Sequence, residues 1–149
     1  MDTLKRILLA EDNPHDVEIT LSALEEHHLA NEVVVVGDGA ESLDYLYRRG
    51  KFSMRTGNHP AVVLLDLKMP KVDGLEVLRT VKQDPALKTI PIVVLTSSRE
   101  EGDLVQSYEL GVNAYVVKPV NFQQLIEAVK VLGVFWAIVN EPPPGSVRR

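Results

Sequence analysis

Glu11 with Asp12, Asp66, Thr96 with Ser97 and Ser98, and Lys118 each stand at the end of a short apolar run. If those runs are strands of one parallel sheet, their carboxyl ends share a rim, which is where open α/β sheets bind ligands. Three carboxylates, a hydroxyl cluster and an ammonium would then meet. Each pair of carboxylates about 4 Å apart repels by roughly 4 kcal/mol at an effective dielectric of about 20, so the bare cluster calls for a divalent cation. All-oxygen ligation, with room left for water and phosphate, suits Mg2+ better than Zn2+, which prefers His and Cys. With Asp66 acting on substrate, Mg2+ and Lys118 would neutralise phosphoryl oxygens and the Thr96 hydroxyl would donate to one. Phosphoryl transfer needs this equipment, and a carboxylate nucleophile yields an acyl phosphate. Singly, Glu11 and Asp12 read as capping or solvated acids, Thr96 as a strand end and Lys118 as a surface lysine. Asp66, between Leu65 and Leu67, already needs a partner, because a charge among apolar neighbours is costly. The placement of all five at the ends of successive runs favours the chemical reading.

The elements that must position them follow from the hydrophobic pattern. Five runs rich in Val, Ile and Leu recur at Arg6 to Ala10, Glu32 to Val36, Ala61 to Leu65, Ile92 to Leu95 and Ala114 to Val117. They are continuous rather than alternating, as strands buried on both faces of a parallel sheet are. Between them lie segments with helical spacing: Val17, Leu21 and Leu24; Ala40, Leu43, Leu46 and Tyr47; Leu75, Leu78 and Val81; Leu104, Val105 and Tyr108; and a long fifth from Phe122 through Leu125, Ile126 and Val129 to Trp136. The first opens on Asn13-Pro14-His15-Asp16, where Asn13 suits the N-cap, Pro14 the first helical position and Asp16 an acid of the first turn. Strict alternation of strand and helix predicts an α/β fold, a doubly wound five-stranded parallel sheet in the order 2-1-3-4-5. The one long connection, Arg48 to Pro60, carries Arg48, Arg49, Lys51 and Arg55. Because it precedes a strand, it is expected at the amino edge of the sheet, away from the rim, as a solvated loop or, alternatively, a partner-docking patch.

Composition bounds the rest. At 149 residues, with 45% hydrophobic and 25% charged side chains, the chain is one ordinary folded domain. With no cysteine, disulfides, thiolate metal sites and a cysteine nucleophile are excluded, and a reducing compartment is expected. A net charge of −5 gives no general attraction to a phosphate backbone, so no nucleic-acid partner is expected. No apolar stretch approaches the roughly 18 residues of a membrane span, and Met1 to Arg6 carries no secretory h-region, so a cytoplasmic protein with no membrane partner is expected. His15, His27, His28 and His59 have no metal-like spacing.

At the residues that carry the chemistry, the sequence resembles the receiver domain of two-component response regulators. The matching segments are Leu8-Leu9-Ala10-Glu11-Asp12-Asn13, Leu64-Leu65-Asp66-Leu67-Lys68-Met69-Pro70 with Asp73-Gly74, Val94-Leu95-Thr96-Ser97, and Tyr115-Val116-Val117-Lys118-Pro119. The likeness runs from about Lys5 to Leu132 and carries with it the flavodoxin-like fold. It implies that Asp66 accepts a phosphoryl group from a histidine kinase. It also implies that Asp12, Asp66 and the backbone carbonyl of Lys68 bind Mg2+, with Glu11 acting mostly through water. Lys118, Thr96 and Ser97 would contact the phosphoryl group, and the bond before Pro119 would be cis. The implied switch moves Thr96 toward the phosphoryl group and Tyr115 into the space it leaves, reshaping the face made by the fourth helix, fifth strand and fifth helix. Lys68 departs from the asparagine of many receivers, which bears on the lifetime of the phosphorylated state.

Residues 1–140 are expected to form a single receiver domain, with the fifth helix over about 121–139, and 141–149 a Pro-rich disordered tail. No output domain is expected. On the fifth helix, Val131, Val134, Phe135 and Ile138 form a second apolar stripe opposite the core stripe, which points to a phosphorylation-sensitive homodimer. Asp-Tyr-Leu-Tyr at 44–47 and Phe135-Trp136 look like the stand-alone regulators that partner phytochrome-type histidine kinases. Three rival readings share parts of the pattern. A flavodoxin-like FMN carrier is disfavoured because Glu11-Asp12 would repel phosphate. An aspartyl-phosphate hydrolase of haloacid dehalogenase type normally has a second Asp where Lys68 stands. The third is a binding module indifferent to phosphorylation.

Overall fold

A computed structural model describes residues 6–26, 32–101 and 114–131. Five parallel strands, β1 (Arg6–Ala10), β2 (Glu32–Val36), β3 (Val62–Asp66), β4 (Ile92–Thr96) and β5 (Tyr115–Val117), form one sheet in the order β2-β1-β3-β4-β5. Among the described residues the helices are α1 (Pro14–Glu26), α2 (Gly39–Tyr47), α3 (Gly74–Gln83) and α4 (Phe122–Val131), the last being the fifth helical segment of the sequence, and a 3-10 turn lies at Gly50–Phe52. The fourth predicted helical segment, the tail at 141–149 and Val134, Phe135, Trp136 and Ile138 lie outside the described residues.

Successive strand residues point to opposite faces, and here both faces are covered. Leu8, Ala10, Val63, Leu65 and Val94 pack with Leu46 of α2 and Leu78 of α3, while Ile7, Leu9, Leu64, Val93 and Leu95 pack with Leu24 of α1 and Leu125 and Val129 of α4. This double core explains why the strands read as unbroken apolar runs. β3 and β4, in the middle, are buried along their whole length, whereas the edge strand β2 leaves Val35 exposed.

Register brings the strand ends level. Ala10 pairs with Val36 and Leu65, Asp66 with Leu95, and Thr96 with Val117. β3 therefore runs one residue later than the apolar pattern predicts, taking in Asp66, and β4 extends through Thr96. Ladder pairing uses only backbone N–H and C=O groups, so a charged or hydroxyl side chain does not end a strand that still has a neighbour.

The helices that leave the rim are capped by the residues just past the strands. Asn13 Oδ1 accepts the N–H groups of His15 and Asp16, Asp38 Oδ1 that of Glu41, and Asp73 Oδ1 that of Glu76. At the opposite edge, the basic connection after α2 is folded on itself. Arg48, left-handed at φ 55°, donates to the carbonyls of Arg55 and Gly57; Arg55 donates to that of Tyr45 and stacks over its ring; and Arg49 and Lys51 pair with Asp44 and Glu41. Its cations serve to hold the loop. Where the loop ends, the Ala61 N–H bonds to the Arg6 carbonyl, at the amino end of the sheet.

Candidate functional site

The rim residues converge as the strand ends require. Carboxylate oxygens of Glu11, Asp12 and Asp66 lie within 4.8 Å of one another. Glu11 and Asp66 are buried, at 2% and 5% exposure, and Asp12 faces solvent. The Lys118 ammonium reaches into this cluster from the end of β5, 2.8 Å from Glu11 Oε1 and 3.2 Å from Asp66 Oδ1. Its backbone is held in turn: the Lys118 N–H donates to the Thr96 carbonyl at 2.8 Å, and the Lys118–Pro119 bond is cis.

Electrostatics follow from this crowding. Burial, then the neighbouring Asp66, push the Glu11 carboxyl up to about 7, against the lowering effect of Lys118 and of the Asn13 N–H. For Lys118, burial alone would lower the pKa, but the close contact with Glu11, the charges of Asp66 and Glu11 and the hydrogen bond to Asp16 raise it well above the usual lysine range. The site thus holds an always-charged ammonium within a surplus of acids. Glu11 Oε1 is shut off from water and lies against the ammonium without receiving a directed hydrogen bond. An all-oxygen donor set carrying an excess of negative charge is what a hard divalent cation requires, so Glu11, Asp12 and Asp66 fit such an ion.

Residues 7–130 match the response regulator receiver domain. The chain belongs to this family. Among its relatives, the receiver domain is 39% identical over 132 residues to the response regulator Rcp1 of Synechocystis sp., covering 89% of this chain and 88% of Rcp1. A solved structure of the Mn2+-bound form of Rcp1 superimposes with a TM-score of 0.71, covering 93% of this chain and 99% of that one. The bacteriophytochrome response regulator AtBRR is 65% identical, with a TM-score of 0.88 over 94% of this chain and all of that one. The phosphorylated cyanobacterial phytochrome response regulator RcpA is 43% identical, with a TM-score of 0.71 over 90% of this chain and 94% of that one. Its close homologues are thus stand-alone phytochrome response regulators, and the family to which the domain belongs is a signalling one.

The remaining residues singled out in the sequence fall around the same rim. Thr96 is fully buried and its hydroxyl donates to the Ser98 carbonyl at 3.0 Å. Both the N–H and the hydroxyl of Ser97 are bonded to the Glu101 carboxylate. Lys68, two residues beyond Asp66, turns its exposed ammonium to Glu101 at 3.6 Å, and its backbone N–H is 3.5 Å from Asp66 Oδ1. Tyr115 is half-buried on β5, against the core shared with α2 and α3. Val131 ends the last described helix, and the other members of the second stripe lie outside the described residues.

Two site residues escaped the sequence reading. Asp16 serves as more than a first-turn acid, because its Oδ2 accepts from the Lys118 ammonium at 3.2 Å. Its spacing of four from Asp12 was the available signal. Glu101 is the second: its carboxylate accepts the N–H and hydroxyl of Ser97, and its own N–H donates to Ser98 Oγ, for which the Ser98-x-x-Glu101 spacing was the available signal.

Proposed function

We propose that this receiver domain, taken as residues 1–140, accepts a phosphoryl group on Asp66 from a sensor histidine kinase, in an Mg2+-dependent reaction. The observation that carries this reading is the geometry of Asp66: a buried carboxylate at a strand end, in one cluster with two more acids and 3.2 Å from an ammonium. The Asp66 carboxylate attacks the phosphorus of a phosphohistidine. A P–O bond forms as the P–N bond breaks, and its electron pair returns to the imidazole nitrogen. Glu11, Asp12, Asp66 and the Lys68 backbone carbonyl would hold Mg2+, which when bound supplies positive charge beside the phosphoryl oxygens. Lys118 neutralises a further oxygen, and water attack at phosphorus later restores the carboxylate. The domain assists its own phosphorylation and dephosphorylation. The Mn2+-bound Rcp1 and the phosphorylated RcpA support the metal and the modification.

Signalling follows from the hydrogen bonds that must change. Thr96 Oγ1 now donates to Ser98, and Ser97 is occupied by Glu101. A phosphoryl oxygen is a charged acceptor, and charge-assisted hydrogen bonds are about twice as strong as neutral ones, so Thr96 is drawn from Ser98 to the phosphoryl group. Tyr115, two residues before the β5 partner of Thr96, turns into the vacated space. The face around β5 and the flanking helices then presents a different surface to a partner. The likeness to phytochrome response regulators supports a phytochrome-type kinase, and the second stripe of Val131, Val134, Phe135 and Ile138 supports a homodimer. A cytoplasmic location suits a kinase partner of this kind, and no described helix is long and apolar enough to cross a membrane.

The test is intact-mass measurement after incubation with a small-molecule phosphodonor and Mg2+. The expected result is one added phosphoryl group, lost with a chelator and lost in Asp66→Asn. An undiminished increment in Asp66→Asn, or none in the wild type, would sink the reading. Rapid multiple turnover of assorted phosphomonoesters would point to a hydrolase instead.

A further inference from the structure

Lys118 carries three N–H donors, and three carboxylates surround it: Glu11 at 2.8 Å, Asp16 at 3.2 Å and Asp66 at 3.2 Å. Two of these, Glu11 and Asp66, belong to the trio that fits a divalent cation. Asp16 does not. It stands instead in the first turn of α1, fixed by the Asn13 cap, which accepts its N–H at 3.1 Å. Asp16 Oδ2 and Asp66 Oδ1 touch the same ammonium, so they can be no further apart than the two contacts end to end. At that range an acid acts on whatever occupies Asp66, yet it contributes no ligand.

We propose that Asp16 is a positioning residue that holds Lys118 and sets the balance of the site between cation and phosphoryl group, favouring the first and opposing the second. The inference rests on the phosphoacceptor reading of Asp66. Its physical basis is a charge count. Four carboxyl groups, Glu11, Asp12, Asp16 and Asp66, surround the one ammonium of Lys118, and Asp16 adds to the attraction for a dication. A phosphoryl group brings about two negative charges. It must take a donor from an ammonium already shared three ways, and Asp16 both competes for that donor and repels the newcomer.

The experiment is calorimetric titration of the full chain with Mg2+ alone, then with beryllofluoride, a phosphoryl mimic, at saturating Mg2+. Asp16→Asn keeps the shape and removes the charge. Mg2+ affinity is expected to fall by about threefold to fivefold and beryllofluoride affinity to rise by a similar factor, for a single partly screened charge. Asp16→Glu, which retains the charge, should keep both constants near those of the wild type. Opposite signs are the signature, since a variant that merely loosens the fold would weaken both ligands. If Asp16→Asn weakens both, leaves both unchanged or tightens Mg2+, the assignment is overturned. A wild-type chain that binds Mg2+ but not beryllofluoride would overturn the phosphoacceptor reading, and this inference with it.

Discussion

Asp12 offers a test in which stability changes sign with the metal. In the metal-free protein its carboxylate is one of three within 4.8 Å, and Lys118 contacts the other two. At an effective dielectric of about 20, unit charges that far apart repel by about 3.5 kcal/mol. Asp12 is exposed, so solvent screening reduces each of its two pairs to about 0.5–1 kcal/mol. Asp12→Asn should therefore stabilise the metal-free fold by about 1–2 kcal/mol, or about 3–6 °C in Tm for a chain of this size. In the wild type, Mg2+ at a hundred times its dissociation constant adds about 2.7 kcal/mol, whereas the variant, short of one ligand, gains much less. The assay is thermal unfolding of both proteins at pH 8, in chelator and in saturating Mg2+. The stability order should invert between the two conditions, and the gain in chelator should shrink in high salt. The pH matters because the Glu11 carboxyl is pushed up to about 7. A carboxyl raised above its unfolded value gives stability that is full below about 4.5 and is lost as pH rises through about 7, so repulsion in the metal-free cluster is fully developed only above that window. If Asp12→Asn destabilises the protein in chelator, or gains as much from Mg2+ as the wild type, the reasoning that the trio is a strained cation site fails.

Two further outcomes follow from packing. A Cβ on Gly74 would lie 2.1 Å from the Asp66 carbonyl oxygen and 2.6 Å from Leu67 Cα, so Gly74→Ala must displace the backbone that carries the phosphoacceptor. It should cost at least about 1–3 kcal/mol in urea unfolding and cut phosphorylation by a phosphodonor, and unchanged values in both would show that α3 does not hold Asp66 in place. For the proposed dimer, light scattering of the wild type with Mg2+ and beryllofluoride should give twice the monomer mass and Phe135→Glu the monomer; a monomeric wild type under those conditions removes the second stripe from the interface.

Much of this architecture was legible in the residue pattern. A strand buried on both faces must be apolar at every position, and the runs at Arg6 to Ala10 and Glu32 to Val36 coincide with β1 and β2. Caps are equally local, since an Asx side chain needs only the next turn of backbone, and Asn13 performs as its spacing predicts. In-register parallel pairing levels the carboxyl ends of the strands, so the meeting of Glu11, Asp12, Asp66 and Lys118 followed once the strands were placed. Errors arose where an outcome depends on a neighbour rather than on the chain itself. Asp66 and Thr96 stay within their strands because adjacent strands still offer hydrogen-bond partners. The basic connection after α2 lies largely exposed at the amino edge as expected, but that its cations are bound by its own carbonyls and nearby acids is something no charge count reveals.

Asp16 marks the limit most sharply. By itself the sequence determined that an acid would sit in the first turn of a capped helix, because that depends on four neighbouring residues. That this acid grips an ammonium 102 positions away was decided by the tertiary structure alone. The contact exists because the start of α1 and the end of β5 lie on the same rim of the sheet, and the Lys118 side chain, from a backbone held by Thr96, reaches in from the edge strand to the acids after β1.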